Sequence, residues 1–302
     1  MGGSGGGGFT GPAGDAADLR AQVRRELQEQ ELASEINAVL GDLLAGINNR
    51  DVDTVRERLD LIVDAIGEVA VDVDRLLFGG SVAKHTYVDG LSDIDALVVV
   101  NDSTSSPGEV VEAFAQALRE RLPQGDIVEI TTGRLAVTVA YKDGTQVQLL
   151  PAVERDGHTS IASGDGSEWK RIRPHKFAEK LTEANRANGN AVVPTIKLAK
   201  ALFQQIPEDS RPSGYHVEAM AVEAFRDYTG RRDRLSMLTH LVDRASNLVL
   251  RPTGDITGQS VHVDSWLGDA NSAQRQSLSR RIKRLGDTVS GANSADDVSA
   301  LF

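Results

Sequence analysis

The chain has 302 residues, 40% hydrophobic and 25% charged, enough for one large core or two moderate ones in an ordinary globular protein. It carries no cysteine, which excludes disulfides and thiolate metal sites and makes the cytoplasm the simplest address to expect. A net charge of -11 argues against an extended nucleic-acid-binding surface, and no apolar run approaches the length of a membrane span, so no membrane partner is expected.

The leader MGGSGGGG reads as a flexible glycine tract, native or appended, and residues 1–14 stand outside the fold. From 15 to 47, Leu19, Val23 and Leu27, then Ile36, Val39, Leu40, Leu43 and Leu44, recur at three- and four-residue steps, which predicts a long helix. A second helix is expected over 53–69, and a strand over 73–78 runs into Gly79-Gly80-Ser81. Glycine has no Cβ to keep a phosphate away from backbone N–H groups, so this turn suits polyphosphate, with Gly80 and Ser81 as the anchors. Lys84, His85 and Thr86 follow it as candidate substrate contacts. Ser92-Asp93-Ile94-Asp95 then enters the five apolar residues 96–100, which read as a buried strand over 94–100. Alternation puts Asp93 and Asp95 on one face of it.

A helix is expected from 107, with Val110, Val111, Phe114 and Leu118 on one face. Strands follow over 127–131, 135–141 and 146–150, the last two joined by the hairpin turn Lys142-Asp143-Gly144-Thr145. Beyond about 174 the pattern turns helical, over 174–187, 194–205, 215–228, 235–249 and 272–285. The expected class is α/β (α+β): N-terminal helices and a small mixed sheet over 15–160, then a helical half over 161–302.

Two carboxylates on a rigid strand beside a phosphate-holding turn are what a Mg²⁺–triphosphate site requires, since the ions offset phosphate charge and acidify an attacking hydroxyl. Asp93 and Asp95 are therefore the candidate catalytic residues and ligands for Mg²⁺, or Mn²⁺ in its place. In the other reading, Ser92 and Asp93 cap the strand entry and Asp95 lies on an exposed face. Against it, a lone carboxylate on a buried strand is costly.

Gly80-Ser81, an eleven-residue gap and Asp93-Ile94-Asp95 resemble the signature of the DNA-polymerase-β-type nucleotidyltransferase superfamily. Ile196-Lys197-Leu198-Ala199-Lys200 and Ser213-Gly214-Tyr215-His216-Val217-Glu218 are similar to the helical-lobe motifs of cGAS-like enzymes. The branch they most resemble is the bacterial CD-NTases of CBASS anti-phage defence, over most of residues 15–290. The resemblance implies a two-lobed fold: a polymerase-β-like palm, a helical C-terminal lobe, and a long N-terminal helix spanning both. It implies that Lys200 reaches the triphosphate with help from Ser213, and that Tyr215 offers its ring to a base. An ammonium suits a polyphosphate, and an aromatic face stacks on any base. Lys197, three residues before Lys200, shares its helical face as a second nucleotide contact or as part of a solvated basic surface. The implied activity joins ATP and other nucleoside triphosphates into a cyclic di- or trinucleotide, releasing pyrophosphate. That product would activate a separate effector without direct contact.

The chain departs from the family pattern in two places. The third carboxylate is usual three residues before a Pro-Ala pair, where Val147-Gln148-Leu149-Leu150-Pro151-Ala152 places Gln148. An amide oxygen can ligate Mg²⁺ but brings no charge and accepts no proton; Glu129 is a conceivable substitute. Related eukaryotic enzymes have Ser directly before Tyr, whereas Gly214 intervenes here. Two other readings follow: a template-independent transferase acting on RNA or protein, and a nucleotide-binding sensor, which Gln148 favours. The basic runs Trp169–Lys176 and Arg280–Arg284 read as a solvated loop-to-helix junction and a polar helix face, and His262-Val263-Asp264 is too short to mark a zinc site.

Overall fold

The computed structural model of the protein describes residues 13–48, 52–67, 73–78, 94–100, 105–133, 135–155, 157–163, 166–255 and 262–302. The chain opens with helices α1 (Ala13–Asn48) and α2 (Val52–Gly67) and strands β1 (Val73–Phe78) and β2 (Ile94–Val100). Then come helix α3 (Pro107–Arg121) and strands β3 (Ile127–Thr132), β4 (Val137–Tyr141), β5 (Gln146–Arg155), β6 (His158–Ala162) and β7 (Trp169–Arg171). Helices α4 (Pro174–Ala187), α5 (Val192–Leu202), α6 (Gly214–Ala224), α7 (Arg234–Leu248), α8 (Ala273–Ser290) and α9 (Ala295–Ser299) complete it. The class is mixed α/β, as expected.

The sheet runs β1-β2-β5-β4-β3, with β6 and β7 continuing from β5. Only β2 and β5 are parallel among its described pairings; the rest are antiparallel. One face packs Ala96, Val98 and Val100 of β2 and Val147 and Leu149 of β5 against Ile62 of α2 and Phe114 of α3. The alternate row, Leu97 and Val99, meets Ala152, Ile161 and Ile172 on the other face. Ser106 starts α3 with a capping box to Glu109, and Pro107 fills the first turn, where a missing N–H costs nothing. Arg119, near the end of α3, donates to Thr132 Oγ1 at 2.7 Å and ties the helix to β3.

The helical half is built on a separate core. Ile36, Leu40 and Leu44 of α1 join Leu198 and Leu202 of α5, Met220 of α6, Leu241 of α7 and Ile282 of α8. Although α1 precedes the sheet in the chain, this part of it packs with the helices; residues 20–31 are exposed. Asn37 fastens it by donating to Asp233 Oδ1 at 3.2 Å and accepting from the Leu235 N–H at 2.9 Å. Among the described residues no helix is long and apolar enough to cross a membrane.

Several boundaries differ from the sequence reading. β5 runs on through Pro151, which falls between the β4 pairing, ending at Leu149, and the β6 pairing, beginning at Ala152. A missing N–H is tolerated at such a gap. Residues 169–171 of the basic run form strand β7, where Lys170 pairs with Ile161 and Arg171 with Ser160, and both side chains are exposed. The run is therefore a charged sheet edge followed by the start of α4, which discourages pairing with other chains. The helix expected over 215–228 stops at Ala224, and that expected over 272–285 continues to Ser290. The hairpin turn is as expected: Gly144 adopts φ 87° and the Asp143 carboxylate accepts from the Thr145 N–H.

Candidate functional site

The candidate residues fall on two parts of the fold. On the sheet, Asp95 of β2 is the register partner of Gln148 of β5, which in turn pairs with Thr138 of β4. Positions 95, 148 and 138 thus form one row across three strands, each about 4.8 Å from the next. The row lies beside Leu97–Leu150 and in the same alternation as Leu97 and Val99, on the face away from α2 and α3. Gln148 is half-buried. Gly79, Gly80, Ser81, Lys84, His85, Thr86 and Asp93 lie outside the described residues, and for Asp95 only the backbone is described.

Glu129 does not substitute for the missing third carboxylate. It is exposed on β3 and pairs with Ala140, while β5 and β4 stand between β3 and β2. Three strand spacings put it about 14 Å from β2. A divalent cation prefers oxygen donors, and the register sets an Asp and a Gln at adjacent positions, a donor set that fits such an ion. Among the described residues no three His, Asp or Glu side chains gather as a metal cluster.

The other candidates sit where α5 meets α6. Lys200 Nζ is 2.8 Å from Glu218 Oε1, and both side chains are almost wholly buried. Lys197 is also buried, and its ammonium donates to Asn48 Oδ1 at the end of α1, so the surface-face reading of Lys197 is replaced by a buried one. Ser213 is the N-cap of α6: its Oγ accepts the His216 N–H at 3.2 Å. Its hydroxyl hydrogen is not consumed by this contact. Tyr215 donates its hydroxyl to Asp255 Oδ1 at 2.9 Å, and its ring meets Phe177 edge-on at 4.7 Å between centroids. Both contacts restrict the ring's rotation.

Behind Tyr215 lies a cluster that carries no sequence signature. Arg275 of α8 is fully buried and donates to Asp264 Oδ2 at 2.6 Å and to the carbonyls of Val249, Arg251 and Gly268. Asp264 Oδ1 accepts the Thr253 N–H at 3.0 Å. His216 Nε2 is 3.4 Å from Asp264 Oδ2 and from Thr253 Oγ1, and its buried Nδ1 has no hydrogen-bond partner among the described residues. Burial pushes the His216 pKa down to about 4 against the pull of Asp264, with Arg275 adding to the fall. His216 is therefore neutral at physiological pH, and its contact with Asp264 is not an ion pair. Burial also opposes ionisation of Asp264, but the Arg275 and Thr253 hydrogen bonds outweigh it and hold the carboxyl below its usual range. The cluster ties residues 249–253 and 264–268 to the start of α6, the helix that carries Ser213 and Tyr215.

A family model described as the Second Messenger Oligonucleotide or Dinucleotide Synthetase domain matches residues 31–185, about half of the chain. Solved structures share the fold. CdnC of E. coli, in a complex with HORMA-deltaN, gives a TM-score of 0.65 at 14% identity, over 87% of this chain and 94% of that one. A Bradyrhizobium diazoefficiens CD-NTase, CdnG, in complex with GTP gives 0.64 at 13% identity, over 85% and 92%. Vibrio cholerae DncV cyclic AMP-GMP synthase, with nonhydrolyzable GTP, gives 0.63 at 12% identity, over 96% and 90%. No curated protein is significantly similar in sequence.

Proposed function

The chain belongs to the second messenger oligonucleotide or dinucleotide synthetase family, and on that premise we propose that it joins nucleoside triphosphates into a cyclic di- or trinucleotide, releasing pyrophosphate. One observation carries the reading: the family match spans Gly80-Ser81, Asp93-Ile94-Asp95 and Gln148 together. The parallel β2–β5 register, with position 95 beside position 148, supports it.

In this proposal Gly80 and Ser81 anchor the phosphates, and Asp93 and Asp95 hold Mg²⁺ or Mn²⁺. The bound ions would supply charge neutralisation at the α-phosphate and acidify the attacking ribose hydroxyl. Gln148 orients through its amide without taking the proton, which leaves proton removal to an aspartate or to water. Lys200 meets the triphosphate, Ser213 directs its hydroxyl hydrogen at it, and Lys197 adds positive charge nearby. Tyr215, held at its hydroxyl and its edge, presents a ring face to the base. In this proposal the sheet-bearing part, which runs on through β7 to Arg171, and the helical part beyond it act as two lobes around the nucleotide. The product leaves to act on a separate effector in the cytoplasm during phage infection; family likeness alone supports this step.

Incubation with labelled ATP, GTP, CTP and UTP and either metal, then phosphatase, tests the reading. A phosphatase-resistant product is expected, lost by about a thousandfold in the D93N/D95N double variant. RNA-dependent product points instead to a tailing enzyme. Nucleotide binding without product in either metal supports the sensor reading that Gln148 favours.

A further inference from the structure

Between α5 and α6 lies an ion pair to which the proposed chemistry gives only one member a role. Lys200 Nζ donates to Glu218 Oε1 at 2.8 Å, with the two side chains 5% and 1% exposed. Glu218 lies four residues beyond Gly214, on the same face of α6. The lysine passes directly over Gly214: a Cβ at that position would lie 3.2 Å from Nζ and 3.3 Å from Cε. Gly214 is thus the clearance through which the ammonium reaches Glu218. This explains why a glycine stands between Ser213 and Tyr215. Ser213 immediately precedes it as the helix cap, so the ammonium and the capped helix start share one location.

A buried ion pair is weak evidence for stability, because apolar residues of similar volume often serve the fold equally well. The pair calls for another reason. We propose that Glu218 is a positioning residue for nucleotide binding, holding the Lys200 ammonium at the start of α6 for a nucleoside triphosphate. Gly214 provides the room. The proposal rests on the reading of Lys200 as a triphosphate ligand. An ammonium has three N–H donors in a tetrahedral array, and committing one to a fixed carboxylate sets the directions of the others. The long lysine side chain is then ordered before the ligand arrives, which is how preorganisation raises affinity. The carboxylate also compensates the buried charge while the site is empty of nucleotide.

The test measures KM for ATP and GTP, kcat and the thermal midpoint in the full chain and in K200A, E218Q and G214A. K200A is expected to raise KM most, and E218Q and G214A to raise it about tenfold each. The K200A/E218Q double variant should add little to K200A alone, because both act through one ammonium. E218Q strands a buried cation and strains fold and site together. G214A separates them, since alanine suits a first helical turn and Gly214 has no left-handed φ. It keeps both charges, so its midpoint should fall less than that of E218Q while its KM rises as far, a split that a merely structural role would not produce. Wild-type KM in E218Q and G214A with a raised KM in K200A overturns the positioning role and leaves the Lys200 reading standing. Wild-type KM in K200A overturns both.

Discussion

The sheet and the helical half hold their candidate residues in different ways. On the sheet, Asp95, Gln148 and Thr138 are neighbours because the β2, β5 and β4 ladders align them, and backbone hydrogen bonds do the placing. In the helical half, placement runs through side chains: Lys200 through Glu218, Tyr215 through Asp255, and residues 249–253 and 264–268 through Arg275 and Asp264. A site set by register survives loss of a single side chain, because the ladder remains. A site set by chained side chains does not, since each group removed leaves a buried partner unpaired. Substitutions on the sheet should therefore change chemistry and spare stability. Those in the helical network should change chemistry and cost stability together.

The sharpest way to break this contrast is Arg275→Met. It fills similar volume but leaves Asp264 buried without its guanidinium, along with the carbonyls of Val249, Arg251 and Gly268. Loss of one partner from a buried ion pair costs about 3–5 kcal/mol. Urea denaturation should read a loss of this size. At temperatures where the variant still folds, KM for nucleotide should also rise, because Asp255 and its hold on Tyr215 belong to the same segment. A loss under about 0.5 kcal/mol, the range of ordinary surface changes, would show that the network is not the scaffold argued here.

Acid provides the next test. In the unfolded chain His216 titrates near 6.5, whereas in the folded protein burial holds it to about 4. Above 6.5 neither state binds the proton and the group contributes no pH dependence. Between 6.5 and 4 the unfolded chain takes up a proton that the folded one refuses, so stability falls by about 1.4 kcal/mol per pH unit. Below about 4 both states are protonated and this loss levels off near 3 kcal/mol. Asp264 acts in the same direction lower down: its folded pKa is depressed, so its contribution is present above the unfolded value and lost as pH falls through the folded one. The slope between 6.5 and 4 should shrink in His216→Gln, which cannot titrate. An unchanged slope would assign the acid sensitivity to other groups.

The same contrast explains what could be read from the amino-acid sequence. Asp95 and the hairpin at Asp143-Gly144 announce themselves through a two-residue period and turn chemistry, which act over short stretches of chain, whereas Gln148 stands out only against the family pattern before Pro151-Ala152. Lys200, Ser213 and Tyr215 were visible only through family resemblance. Glu218 falls inside the motif that carries the resemblance and Asp264 inside His262-Val263-Asp264, but nothing in either stretch names its partner, and Asp255 and Arg275 carry no sequence signal. Lys200 and Glu218 are eighteen residues apart, and Tyr215 and Asp255 forty, with no periodicity linking them. Short strands such as β7 were missed because three residues, one aromatic and two basic, Trp169-Lys170-Arg171, become a strand only by pairing with β6. The burial of Lys197 and Lys200 was missed for a similar reason, since charged residues are rarely buried unless a partner from elsewhere is supplied.

Gln148→Glu gives the smallest effect and separates the two halves most cleanly. The position is half-buried on β5, beside position 95 and on the face away from α2 and α3, so exchanging an amide for an isosteric carboxylate leaves the ladder untouched. Unfolding free energy should stay within about 0.5 kcal/mol of the wild type, as for a substitution outside the core. Turnover should rise by about tenfold, because a carboxylate adds a charged oxygen donor and a group able to accept the hydroxyl proton, neither of which an amide supplies. Initial rates in Mg²⁺ and in Mn²⁺ measure it. Equal turnover in both proteins would mean that the amide oxygen and two aspartates already make a complete site, and that proton removal never depended on this strand. A large stability loss would mean instead that Gln148 belongs to a side-chain network like that of Arg275, and the distinction between a site placed by register and one placed by side chains would fail at its central residue.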